Sequence, residues 1–205
     1  IICLIAAGIA GALWSFIPGL LKAYRNVNIV ISGIMFNYIG MLLVIEGVKS
    51  FVYDAAGARS QVSAISIPKF GLDKIFRGSD VNGGIIIAIA LCVIAYIILN
   101  KTTFGYELKA CGYNPDASQY AGMSEKKIVI ISMLIAGFFS GIGGGLVYIA
   151  GTGRAFTTAE VLLPEGFNGI PVALLGMNSP LGCILAALFV SYINVGGNYM
   201  QACNI

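Results

Sequence analysis

The runs NIVISGIMFNYIGMLLVI (residues 28–45), GGIIIAIALCVIAYIILN (residues 83–100) and IVIISMLIAGFFSGIGGGLVYIAG (residues 128–151) hold no Asp, Glu, Lys or Arg. Each is near the length of about 20 residues that the hydrocarbon core of a bilayer demands of a helix. The membrane is therefore the solvent in which this chain folds. The rest of the composition agrees: 58% of the residues are hydrophobic, only 10% are charged, and the mean hydropathy is +0.90, values that a water-soluble domain does not reach. The expected fold is all-α, a polytopic transmembrane helix bundle over residues 1–205.

The first apolar run, Ile1 to Leu21, carries Gly8, Gly11, Pro18 and Gly19, which predicts a helix broken or kinked near its end. Lys22 and Arg25 mark a short polar joint before the next span. A long polar segment at 48–82, with Asp54, Arg59, Lys69, Asp73, Lys74, Arg77 and Asp80, reads as a solvent-facing loop. A second polar segment covers 101–127 and a third 152–165. Beyond Gly166 the chain is apolar but interrupted, and Pro164, Pro171 and Pro180 among Gly166, Gly169, Gly176 and Gly182 predict a discontinuous or re-entrant helix. The chain begins in an apolar run without Met or a basic region ahead of a cleavage site, so it reads as a fragment of a longer protein.

Several chemistries are excluded by what is missing. The chain has no His, which removes the commonest general base, proton shuttle and metal ligand. Its five Cys, with Cys3, Cys92 and Cys183 in apolar runs, Cys111 in the polar segment and Cys203 near the end, show no metal-ligand or CxxC spacing. They read as small residues filling helix contacts. No Gly-rich loop ends in Gly-Lys-Ser/Thr, and the Gly pairs at 141/143 and 151/153 lack dinucleotide-binding spacing. No carboxylate or His lies inside the three spans, so a proton-driven carrier lacks the group that normally carries its proton. An intramembrane enzyme lacks its catalytic pair for the same reason. Energy must come from a partner, or from a solute gradient alone, as in a facilitator or channel for a small neutral solute.

A neutral wall suits a neutral, polar, partly aromatic solute. Trp14, Phe36 and Tyr38 offer stacking surfaces, Asn37 a mid-span amide, and Phe167 with Asn168 the same pair of groups at the start of the interrupted segment. These six are the candidate substrate-path residues. Packing is the competing role for the aromatics, and another helix can satisfy Asn37 as readily as a solute can. Gly137 and Gly141 form a GxxxG pair whose expected role is close helix packing.

Outside the spans, Asn114 to Gly122 is the most ordered reading. Asn114 is a good N-cap, Pro115 suits the first helical position, Asp116 favours the positive end of the helix dipole, and Gly122 can adopt the left-handed stop. A two-turn helix results, with Ala117, Tyr120 and Ala121 on one face as a small apolar ridge fit for a groove in another protein. Lys and Arg counts do not orient the chain: Lys22, Arg25, Lys101, Lys109, Lys126 and Lys127 stand against Lys49, Arg59, Lys69, Lys74, Arg77 and Arg154.

The run from Thr103 to Pro115, TFGYELKACGYNP, followed by Tyr120-Ala121-Gly122, resembles the cytoplasmic coupling region of ABC importer permeases of the branch handling ribose, branched-chain amino acids and nucleosides. Gly11-Ala12-Leu13-Trp14, Leu21-Lys22-Ala23, Asn26, Asn28 and Asn37-Tyr38-Ile39, with residues 166–176 (GFNGIPVALLG) and Ser179-Pro180-Leu181-Gly182, are similar to permeases for nucleosides or simple sugars. Ile29 and Gly33 stand where acidic and hydroxyl residues are expected, and Met177 where a basic residue is frequent. The resemblance implies a multi-pass plasma-membrane subunit that binds no cofactor, with ATP used by separate ATP-binding cassette ATPase subunits. It further implies a second permease subunit, identical or paralogous, an extracellular substrate-binding lipoprotein or receptor, and no nucleic-acid partner. It makes 101–127 the cytoplasmic coupling region, with Asn114, Pro115, Asp116, Ala117, Tyr120, Ala121 and Gly122 facing the ATPase, and puts loops 48–82 and 152–165 outside.

Overall fold

A computed structural model describes residues 2–54, 59–60, 67, 82–149, 155–156, 158, 160–162 and 164–202. Most of the expected loop at 48–82, part of the loop at 152–165, the end of the third span and Cys203 lie outside the described residues. The helices are α1 (Ile2–Arg25), α2 (Ile29–Phe51), α3 (Gly84–Lys101), α4 (Thr103–Tyr113), α5 (Pro115–Tyr120), α6 (Glu125–Ile149), α7 (Pro164–Leu175) and α8 (Pro180–Ala202). A two-residue antiparallel pair, β1 (Tyr53–Asp54) and β2 (Arg59–Ser60), follows α2, with Tyr53 opposite Ser60 and Asp54 opposite Arg59. The fold is an all-α polytopic bundle.

Five of these helices, α1, α2, α3, α6 and α8, are long and apolar enough to cross a membrane. The three charge-free runs fall in α2, α3 and α6, so periodicity and hydropathy located them. Of the break or kink expected in the first apolar run, the break is absent: α1 continues as a helix through Pro18 to Arg25. A proline removes a single backbone donor, a loss that a membrane helix tolerates when neighbouring packing holds the turn. Pro18 and Gly19 are both buried, and a Cβ at Gly19 would stand 3.1 Å from that of Met133 on α6.

The chain divides into two units, one of residues 1–88 with 103–162 and the other of residues 89–102 with 163–205. In the first, α1 and α6 pack antiparallel: Leu4 lies against Gly145, Gly8 against Phe138 and Ile142, and Gly19 against Met133. Their crossing has almost no side chains. A Cβ on Gly11 would overlap the Gly137 carbonyl, one on Gly137 would overlap Ser15 Oγ, and one on Gly141 would overlap the Ala7 carbonyl. Glycine here permits two backbones to touch. Ser15 Oγ adds an interhelical hydrogen bond, donating to the Met133 carbonyl at 2.8 Å.

The antiparallel pairing fixes which polar segments share an end of this unit. The joint after α1 lies beside the start of α6, with Lys126 Nζ 5.4 Å from the centre of the Tyr24 ring. At the other end the last residue of α6 meets the long loop, Ile67 N donating to the Ile149 carbonyl at 3.1 Å. Ser60 N donates to the Phe156 carbonyl at 2.8 Å there. The described parts of loops 48–82 and 152–165 are thus neighbours.

In the second unit, α7 ends in a turn at Gly176–Ser179 and α8 begins at Pro180, the discontinuity that the spacing of Pro and Gly predicts. Pro171 lies inside α7 without ending it. Twelve residues at about 1.5 Å each make about 18 Å of helix, short of a bilayer core of about 30 Å, so α7 does not cross as a helix by itself. Met177 and Asn178 take φ of 53° and 54°. Met177 N donates to the Leu174 carbonyl and Asn178 N to the Ala173 carbonyl, the paired bonds of a left-handed helix stop.

Candidate functional site

Helix α5 is closed at both ends by its own sequence. Asn114, at φ −152° and ψ 102°, accepts the Ala117 amide on Oδ1 at 3.1 Å. Pro115 takes the first turn, where no intrahelical acceptor exists for an amide, and Asp116 sits in the same turn. At the other end Gly122 has φ +83°, its N–H donating to the Gln119 carbonyl at 2.9 Å while Met123 N donates to the Ser118 carbonyl at 3.0 Å. This is the Schellman stop, which needs a residue comfortable at positive φ.

One face of α5 is satisfied from within and the other is bare. Ser118 is buried, donating to the Pro115 carbonyl at 2.7 Å and accepting from Cys111 Sγ at 3.1 Å. Cys111 is thus a buried residue of a helix, α4, and not of a loop as its polar surroundings suggested. Ala117, Tyr120 and Ala121 are all exposed, Tyr120 to 95%. Beside this ridge lies a cleft of about 450 Å³ lined by Thr103, Tyr106, Glu107, Gly122, Met123 and Ser124. Gln119 Nε2 donates to Glu125 Oε2 at 2.9 Å, which ties α5 to the first turn of α6.

The candidate path residues are only partly assembled. Trp14 and Phe36 meet edge to face, ring centres 5.9 Å apart at 74°, and Gly40 leaves room for the same indole, whose Cζ2 lies 3.3 Å from where a Cβ would be. These two aromatics join α1 to α2. Asn37 and Tyr38 are exposed on α2, and no hydrogen bond joins the Asn37 amide to any described residue. Phe167 and Asn168 are exposed on α7, in the second unit. Sequence reasoning missed Ser15, the bond between Cys111 and Ser118, and the indole-sized notch at Gly40; none has a spacing signal that precedes knowledge of which helices pair. Among the described residues no three His, Cys, Asp or Glu side chains gather as a metal site.

The profile of a family described as branched-chain amino acid transport system / permease component matches residues 1–204. The chain belongs to that permease family. Among its relatives, the guanosine ABC transporter permease protein NupP of Bacillus subtilis is 40% identical over 198 residues, covering 95% of this chain and 56% of the relative. The nucleoside ABC transporter permease protein NupB of Lactococcus lactis is 40% identical over 193 residues, 91% of this chain and 53% of that protein. The glucose ABC transporter permease protein TsgB13 of Haloferax volcanii is 33% identical over 207 residues, 96% and 54%. This permease chain therefore spans about half the length of these relatives. No solved structure matches it. Family membership and the five apolar spans make it a multi-pass plasma-membrane protein.

Proposed function

We propose that this chain is the membrane-spanning part of an ATP-driven importer for a neutral polar solute, a nucleoside, with α5 as the seat of the ATPase. The observation that carries the reading is α5 itself, a doubly capped helix whose apolar ridge is exposed while Gln119 holds it to α6. A facilitator driven by a gradient has no use for such a ridge. The relatives named for guanosine and nucleosides support the substrate class, as does the absence of charge from the runs 28–45, 83–100 and 128–151, which leaves stacking and amide hydrogen bonds to recognise base and ribose.

In this reading the end of the first unit bearing α4 and α5 is cytoplasmic, and the loops at 48–82 and 152–165 face outward. A receptor or lipoprotein delivers solute there, and a second permease subunit, the same or a paralogue, completes the path. Hydrolysis belongs to the ATPase subunits; this chain performs no catalysis and holds no cofactor. Closure of the ATPase on ATP displaces α5, and the Gln119–Glu125 bond passes the displacement to α6 and, through the glycine seam, to α1. A ligand biases only states that it contacts differently, so α5 must meet the ATPase differently in the two states. Trp14, Phe36, Asn37 and Tyr38 are the path residues proposed in the first unit, and Phe167 and Asn168 those proposed in the second.

The test uses the full-length protein reconstituted with its ATPase and receptor. Tyr120→Asp should reduce ligand-stimulated ATP hydrolysis and uptake at least tenfold, and unchanged stimulation sinks the docking assignment. Uptake that persists without any ATPase favours the facilitator. Asn37→Ala should raise the half-saturating solute concentration several-fold with basal hydrolysis intact, whereas wild-type uptake returns Asn37 to helix packing.

A further inference from the structure

Where the ends of α1 and α6 meet, the first unit has a second cleft, of about 280 Å³, lined by Lys22, Tyr24, Asn26, Glu125 and Lys126 with Val129 on its apolar side. It belongs neither to the ridge on α5 nor to the path residues. We propose that it binds the phosphate headgroup of an anionic membrane lipid.

Charge is the first argument. Lys22 and Lys126 line the cleft with a single carboxylate, Glu125, and Arg25 and Lys127 stand in the same two helix ends. That carboxylate accepts from Gln119 at 2.9 Å. Lys22 Nζ instead donates to Asn26 Oδ1 at 2.7 Å, and Lys126 Nζ lies over the Tyr24 ring. Among the described residues no carboxylate forms an ion pair with Lys22, Arg25, Lys126 or Lys127, and the excess positive charge at this end has no counter-ion there. A phosphodiester between the two lysines supplies it.

Position decides between a lipid and a free anion. Both helices pass from polar ends into charge-free spans within a turn of the cleft, which sets it at the boundary between headgroups and acyl chains. Ile17 and Ile131, one to two turns further into those spans, are 40% and 42% exposed and offer acyl chains an apolar wall. Tyr24, exposed with a hydroxyl tip, is the residue type that favours this depth. The half-buried Lys22 has the aliphatic stem and charged head that suit the same boundary.

The experiment measures lipid retained by the full-length protein in detergent, by native mass spectrometry, after incubation with phosphatidylglycerol or phosphatidylcholine. The wild type should retain phosphatidylglycerol at least fivefold over phosphatidylcholine. K22Q/K126Q should bring that ratio to near one, K22R/K126R should preserve it, and K101Q/K109Q should leave it unchanged. Equal retention by K22Q/K126Q overturns the site, and an equal loss in K101Q/K109Q reduces it to diffuse surface charge. Displacement of the lipid by soluble glycerophosphate at the same concentration reassigns the cleft to a free anion. Should K22Q/K126Q fail to fold, a photo-crosslinking phosphatidylglycerol on wild-type protein decides: labelling within 22–27 and 125–131 supports the proposal, and labelling elsewhere refutes it.

Discussion

The α1/α6 seam and helix α5 lie in the same unit and are both defined by glycine, yet glycine serves opposite ends in them. At the seam, Gly11, Gly137 and Gly141 are small because another backbone occupies the space. At α5, Gly122 has nothing within 4 Å of its missing Cβ, and what it supplies is a φ of +83°. The seam uses its small surface on a neighbour within the chain and offers none of it to another molecule. The short helix has its polar groups satisfied and its ridge uncovered, so its unspent surface is available to another molecule.

The sharpest way to break that contrast is bulk. Gly141→Leu should separate α1 from α6, because the added side chain meets the Ala7 carbonyl and Gly8 Cα and not a flexible tip. Overpacking costs about 1–3 kcal/mol or more, and against a backbone the upper end is expected, read as loss of the folded fraction in detergent. A Leu at Gly122 has open space, so Gly122→Leu should leave α1 and α6 paired; if both variants unfold alike, the contrast fails.

Backbone geometry gives the next effect. Gly122→Ala should cost about 1–2 kcal/mol through its left-handed φ alone, visible as faster amide exchange in residues 115–123 with α6 still protected. Exchange that stays slow would mean that the stop is not what holds α5. Asn114→Ala removes the acceptor of the Ala117 amide and should cost about 1 kcal/mol, again confined to α5.

The smallest effect belongs to the side-chain bond that Ser15 makes across the seam. Ser15→Ala removes the hydroxyl bonded to the Met133 carbonyl but keeps the steric fit, so it should cost about 0.6 kcal/mol, the average of such bonds in a membrane protein. A thermal shift comparable to that of Gly141→Leu would show that hydrogen bonding, and not close backbone approach, holds the seam.

Legibility varied with how local the deciding physics is. The ends of α5 could be read from Asn114, Pro115 and Gly122, because caps act within a turn. Helix α4 could not, since Thr103 to Tyr113 mixes polar and apolar residues without a clear period, and its Cys111 finds its polar contact on Ser118 seven residues away. Pro18 misled for the opposite reason. Its local tendency to break a helix is overruled where Pro18 is buried and its neighbour Gly19 packs on Met133 of α6, which a sequence read turn by turn does not contain. For the path, the aromatics Trp14 and Phe36 meet as a pair, while Phe167 and Asn168 stand in the other unit.

What the residues determined unaided is three of the five spans and the short capped helix, because hydrocarbon thickness and end-capping are conditions that a contiguous segment meets or fails alone. Tertiary structure decided which helix answers the GxxxG pair. Gly137 and Gly141 state only that some backbone comes close; that it is α1, running antiparallel and offering Gly8 and Gly11, depends on two faces over a hundred residues apart fitting each other, and complementarity of that kind has no local signature.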